Sequence, residues 1–216
     1  MPTPTTVAAL TELGRVRLSE HFFMREMLYS EVANLHAVPN IPEDPAAAIF
    51  AGEQLCRLIL EPLRKAFGHV AVRSAYRSPT VNDFCHQRYQ QGDVACFCSD
   101  NGYNAARHIW DKRDDKGFAG ATASVVLPAY IDHFERTRDW QSLGWWIRDH
   151  IADYEEVIFM PWLCAFNIRW YEGPRSRAIR YSDGTHREVL TEAGAPGFDG
   201  DHADKYAALA PLLRAR

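Results

Sequence analysis

A chain of 216 residues, 47% hydrophobic and 24% charged, has the composition of one globular domain large enough to bury a core, which excludes a disordered chain. Its formal charge of −4 is spread without a long basic block, arguing against a nucleic-acid partner, and no apolar run approaches the ~18 residues of a membrane helix. Met1 to Arg15 lack a basic stretch followed by an apolar one, and the five cysteines (Cys56, Cys85, Cys96, Cys98, Cys164) are odd in number and unevenly spaced. Both features predict a cytoplasmic protein with free thiols rather than a disulfide framework.

In chain order, residues 1–17 read as a loose lead-in. Ser19 is placed to cap a short helix with Phe23, Met27 and Leu28 on one face. A loop marked by Pro39 and Pro42 precedes the main helix over 45–67, whose apolar stripe is Leu55, Leu58, Ile59 and Leu63. Gly68 stops that helix, and Pro62 inside it predicts a kink, because proline removes a donor and crowds the preceding turn. Val70 to Ser74 is a short strand. Residues 83–107 are polar, irregular and carry Cys85, Cys96 and Cys98, so they read as an insertion beside a site.

Thr122 to Leu127 is a strand stopped by Pro128, and Trp140, Leu143, Ile147 and Ile151 recur at helical spacing over 139–152. Glu156–Met160 and Cys164–Tyr171 are strands joined at Pro161-Trp162, and 177–190 is a hairpin around Asp183-Gly184 with a type I′ turn. From 191 the chain is a Gly- and Ala-rich tail with one short terminal helix. Helices mixed with short strands in this order predict an α+β fold: one domain over 18–190, a small antiparallel sheet packed with helices.

The candidate chemistry starts at His108 and Asp115, an imidazole and a carboxylate close in sequence. A catalytic zinc takes three ligands from His, Asp, Glu or Cys and leaves one position for water. On a strand over 165–170, alternation places Phe166, Ile168 and Trp170 on one face and Asn167, Arg169 and Tyr171 on the other. Arg77 offers the planar fork that grips a carboxylate, or ties its own turn together; Tyr76 and Asn82 shape that turn. His86 with Cys85, Cys96 and Cys98 matches no standard zinc spacing and reads as ordinary thiols. His202 among Asp199, Asp201 and Asp204 reads as a solvated cluster, His150 as a helix-end histidine, and Trp140, Trp145 and Trp146 as core.

These blocks resemble the zinc D-alanyl-D-alanine peptidases, which share the hedgehog/DD-peptidase fold, over about residues 18–171. The resemblance rests on Leu18-Ser19-Glu20-His21-Phe22 with Arg25-Glu26, on Leu60-Glu61-Pro62-Leu63-Arg64 with Phe67-Gly68, on Val72 to Asn82, and on His108 with Asp115. It implies a zinc held by His108, Asp115 and a third ligand at the strand position occupied by Asn167. It also implies a general base near Glu155 or Glu156, and a small peptide or peptidoglycan-type substrate whose carboxylate Arg77 holds. In the second registration His108 pairs with Gly120-Ala121-Thr122-Ala123, and the aspartate position falls on Ser124.

The chain departs from the pattern at Asp111 and Arg113, where small residues are the rule, and at Asn167, where the third histidine is expected. Three readings stay open. One is a zinc hydrolase completed by His150 or Tyr171. The second is a catalytically degenerate fold that binds a ligand or partner. The third is an enzyme using another metal on a His/carboxylate pair.

Overall fold

The computed structural model describes residues 2–214. Six strands, β1 (Ala71–Ser74), β2 (Gly120–Val126), β3 (Tyr154–Phe159), β4 (Phe166–Tyr171), β5 (Ala178–Ser182) and β6 (Arg187–Thr191), form one sheet in the order β1-β2-β4-β3-β5-β6. Neighbours run antiparallel except β3 and β5, which are parallel. The α+β class stands, but the sheet is mixed rather than antiparallel. β4 has β2 on one edge and β3 on the other, so the chain leaving it crosses to the free edge of β3 and enters β5 alongside β3.

The long helix over 45–67 is broken as its proline requires. α4 (Pro45–Leu55) passes into a π turn at Cys56–Leu60 and resumes as α5 (Glu61–Phe67), with Pro62 in the first turn of the resumed helix and Gly68 ending it at φ 85°.

Other expectations shift. The lead-in forms a helix, Val7–Gly14, because Thr6 accepts from the Ala9 N–H and Leu13 gains a buried place. The next helix spans only Met24–Met27 and begins after Phe23, while the Ser19 hydroxyl donates to Glu61 at 2.6 Å instead of capping. Ser30 caps a short helix, Glu31–His36.

The supposed insertion starts inside a regular helix, Pro79–Gln90, with Pro79 in its first turn and Ser78 as cap. Only 91–107 is irregular, holding two single turns at Val94–Cys96 and Asn101–Asn104. Pro128, read as a strand stop, also begins a helix, Pro128–Thr137, followed by Gln141–His150. The β5–β6 loop is longer than a type I′ turn: Gly184 alone has positive φ, and Asp183 Oδ1 accepts from the Thr185 and His186 N–H groups. The tail is docked rather than solvated. Its 3-10 helix, Ala203–Leu212, packs on Gln141–His150, and His202 is 5% exposed, stacked on Trp145 with Nδ1 at 2.9 Å from Asp149.

Strand alternation divides the sheet. Ala121, Ala123 and Val125 of β2, Phe166, Ile168 and Trp170 of β4, and Val157 and Phe159 of β3 are fully or nearly fully buried on the side where α4 packs. The opposite side carries Thr122, Ser124, Asn167, Arg169, Tyr171 and Glu156. No helix among the described residues is long and apolar enough to cross a membrane.

Candidate functional site

The polar side of the sheet gathers the residues of interest through strand register. Ser74 of β1 stands opposite Ser124 of β2, and Ser124 stands opposite Asn167 of β4, so three short polar side chains form one row across three strands. One step along, Thr122 stands opposite Arg169, and Arg169 opposite Glu156 of β3. Among the described residues neither serine hydroxyl, nor the Thr122 hydroxyl, nor the Asn167 amide has a hydrogen-bond partner.

Where β1 leaves the sheet, residues 107–108 take its place. The Thr122 N–H donates to the Arg107 carbonyl at 2.8 Å, and the Arg77 N–H donates to the His108 carbonyl at 2.8 Å. His108 Nδ1 lies 3.1 Å from the Ala75 carbonyl, which fixes the proton on Nδ1 and leaves Nε2 as a bare acceptor. Packed round by protein yet keeping some open surface, the ring is pushed down to about 3 by burial, helped by the Arg77 and Arg107 guanidinium charges and opposed by the Ala75 carbonyl. His108 is therefore neutral throughout the working pH range.

Ser124, not Asp115, stands opposite Asn167 in the sheet. Asp115 is an exposed residue of the turn closed by the Asp114 N–H on the Phe118 carbonyl, leading into Gly120, which pairs with Tyr171. Gly120 and Ser124 are four residues apart, about 13 Å along the strand, so Asp115 and His108 belong to opposite ends of this face. Tyr171 is likewise remote from Asn167, and its hydroxyl is engaged by Asp114 at 2.5 Å. His150 packs its ring between Trp146 and Tyr206 at the far end of its helix.

The carboxylates expected as a base are occupied. Glu156 is gripped by Arg107 at 3.2 Å and Arg180 at 3.0 Å, and Glu155 accepts from the Ser176 N–H at 2.8 Å and its hydroxyl at 3.1 Å. Arg77 donates through Nη1 to Cys98 Sγ at 2.9 Å and Asn82 Oδ1 at 3.3 Å, which ties its turn to the Cys98 loop. Asn82 is fully buried and also donates to the Ser99 carbonyl and Asn101, while the buried Tyr76 hydroxyl donates to Asp111 at 3.1 Å. Asp111, one of the departures from the family pattern, is 6% exposed and accepts from the Glu43 and Asp44 N–H groups as well.

These donors do not fit zinc. His108 is one good ligand, but a serine hydroxyl and an amide oxygen replace the carboxylate and second imidazole, and the two guanidinia beside His108 repel a divalent cation. Among the described residues no three His, Cys, Asp or Glu side chains form a group able to hold a metal ion. All five cysteines are free and buried; burial raises Cys85 to about 11 and pushes Cys56 and Cys164 higher still.

Sequence reasoning passed over Ser74, Thr122 and Arg169. Their signal is register, and a strand partner is invisible until the sheet order is known. Comparison with protein-family models, curated proteins and solved structures gives no match for this chain.

Proposed function

We propose that this chain is a non-hydrolytic binding module: a peptidase-like arrangement that holds a small polar ligand, of the peptide class its resemblance suggests, without a metal. The observation that carries the reading is the unpartnered row Ser74–Ser124–Asn167 beside the neutral His108. Two hydroxyls and an amide supply donors and acceptors in one line, and His108 Nε2 adds an acceptor. None of these polar groups is sealed from solvent, so water or a ligand can complete their hydrogen bonds. The reading is supported by two further observations: among the described residues no three His, Cys, Asp or Glu side chains are grouped to hold a metal, and Glu155 and Glu156 are held by Ser176, Arg107 and Arg180.

The test is calorimetric titration of N-acetyl-D-alanyl-D-alanine in the presence of EDTA, with NMR to detect cleavage. Saturable binding of an intact ligand, weakened in Asn167→Ala, is the expected result. Cleavage that appears on adding zinc, or absence of any binding, overturns the reading.

A further inference from the structure

Arg169 is 6% exposed and lies in the middle strand of the polar face, opposite Thr122 on β2 and Glu156 on β3. Its guanidinium makes one hydrogen bond among the described residues, Nε to the Ala106 carbonyl at 3.0 Å, and stacks over the Tyr171 ring at 4.3 Å. Neither Nη atom has a protein partner and neither is sealed from solvent, so the fork of the guanidinium is open at its tip. The neighbouring carboxylates are engaged elsewhere: Glu156 is shared between Arg107 and Arg180, Glu155 accepts from Ser176, and Asp114 accepts from the Tyr171 hydroxyl. A guanidinium buried to this degree without a counter-ion is costly, and proteins pair such charges.

We infer that Arg169 is the anchor of this polar face, and that its open Nη pair receives the carboxylate of a small ligand whose polar body lies along Thr122, Ser124 and Asn167. The inference rests on the binding-module reading and names its ligand class. Arg77, the guanidinium that the motif points to, has its Nη1 taken up by Cys98 and Asn82. Arg169 and Asn167 are two residues apart on one strand face, about 7 Å, which suits a carboxylate at one end and a hydrogen-bonding amide or hydroxyl a few bonds away.

Shape and local charge select a carboxylate. Glu155, Glu156 and Asp114 all act on Arg169 from beyond ion-pair reach, so the surroundings of its open fork are already rich in negative charge. A planar carboxylate matches the two parallel donors of a guanidinium, and a phosphate dianion would meet Glu155 and Glu156 at close range.

The experiment titrates the whole chain with N-acetyl-D-alanyl-D-alanine, with its C-terminal amide and with inorganic phosphate, using wild type, Arg169→Met and Arg169→Lys, each checked by its melting curve. The acid is expected to bind about 100-fold more tightly than the amide to wild type, because a buried charge loses its partner in the amide complex. That preference disappears in Arg169→Met and shrinks in Arg169→Lys, which keeps the charge and loses the fork. Equal binding of acid and amide overturns the Arg169 assignment while leaving the binding module standing. Phosphate binding tighter than the acid overturns the choice of a carboxylate. Binding of neither peptide overturns the module and this anchor with it.

Discussion

Strand register puts this face two substitutions from a zinc site. In Ser124→Asp/Asn167→His the two new side chains stand directly opposite on β2 and β4, with Cβ atoms about 4.5–5.5 Å apart, close enough to converge on one ion. His108 supplies the third ligand through Nε2, its Nδ1 already anchored on the Ala75 carbonyl as a metal-bound histidine requires. Because burial holds His108 near pKa 3, no proton competes for Nε2 at neutral pH. Zinc at 100 times its dissociation constant stabilises by about 2.7 kcal/mol, and at roughly 2–4 °C per kcal/mol for a domain of this size the melting temperature rises by about 5–10 °C. The assay is thermal unfolding with and without zinc, reversed by EDTA, for wild type, both single variants and the double variant. The double variant alone is expected to respond, and adding Asp115→Asn leaves its response unchanged. A folded double variant with no zinc-dependent shift refutes the register argument, as does a wild-type shift that depends on Asp115.

Four further outcomes follow from the same geometry. Arg169→Met removes a buried charge that burial and the neighbouring Arg107 depress to about 10, a destabilisation of about 3 kcal/mol for the charged form, but forfeits the stacking on Tyr171 and the bond to Ala106. Urea unfolding should therefore place it within about 1 kcal/mol of wild type, against the roughly 3–5 kcal/mol lost when a compensated buried ion pair is broken. His108 binds fewer protons folded than unfolded below its ordinary pKa of 6.5, so its contribution is fully present above that value and is lost as pH falls toward 3. Stability should drop by about 2 kcal/mol between pH 6.5 and 5 at 1.36 kcal/mol per pH unit, a slope that His108→Gln abolishes and that a flat wild-type profile would contradict. Asp111→Ala strands the Tyr76 hydroxyl and the Glu43 and Asp44 N–H groups, and should cost about 3–5 kcal/mol in the same unfolding assay; a loss below 1 kcal/mol would show that those groups find other partners. Thiol titration should find Cys56, Cys85 and Cys164 slow in the native protein and fast in denaturant; prompt native reaction of Cys56 would contradict its burial.

Most elements were legible because they obey local rules: the apolar stripe of α4, the break near Pro62, the stop at Gly68, and the alternation that sorts Ile168 and Trp170 from Asn167 and Arg169. Two helices open on a proline, Pro79–Gln90 and Pro128–Thr137, and are hidden from a reading that uses Pro128 only to end a strand, although proline is equally at home in a first helical turn. The docking of the tail was hidden by its Gly- and Ala-rich composition, since Phe198, His202 and Leu209 are too widely spaced to form a periodic face.

At the site the sequence identified the strand face of Asn167 but not what stands beside it. Spacing alone puts Asp115 seven residues after His108 and says nothing of the path between that segment and the strand that pairs with Asn167. Here the chain runs out through an exposed turn first, and Gly120 lets it return: a side chain there would collide with the Ala106 carbonyl. Arg169 was assigned to the right face without comment, because only burial and the saturation of Glu156 by other arginines mark it as unpaired.

The most direct measurement is elemental analysis of the protein purified without added metal and again after equilibration with excess zinc and desalting, beside His108→Ala. Far less than one metal ion per chain is expected in every sample, with no difference between wild type and variant. Close to one zinc per wild-type chain, lost in His108→Ala, would return this face to metal chemistry.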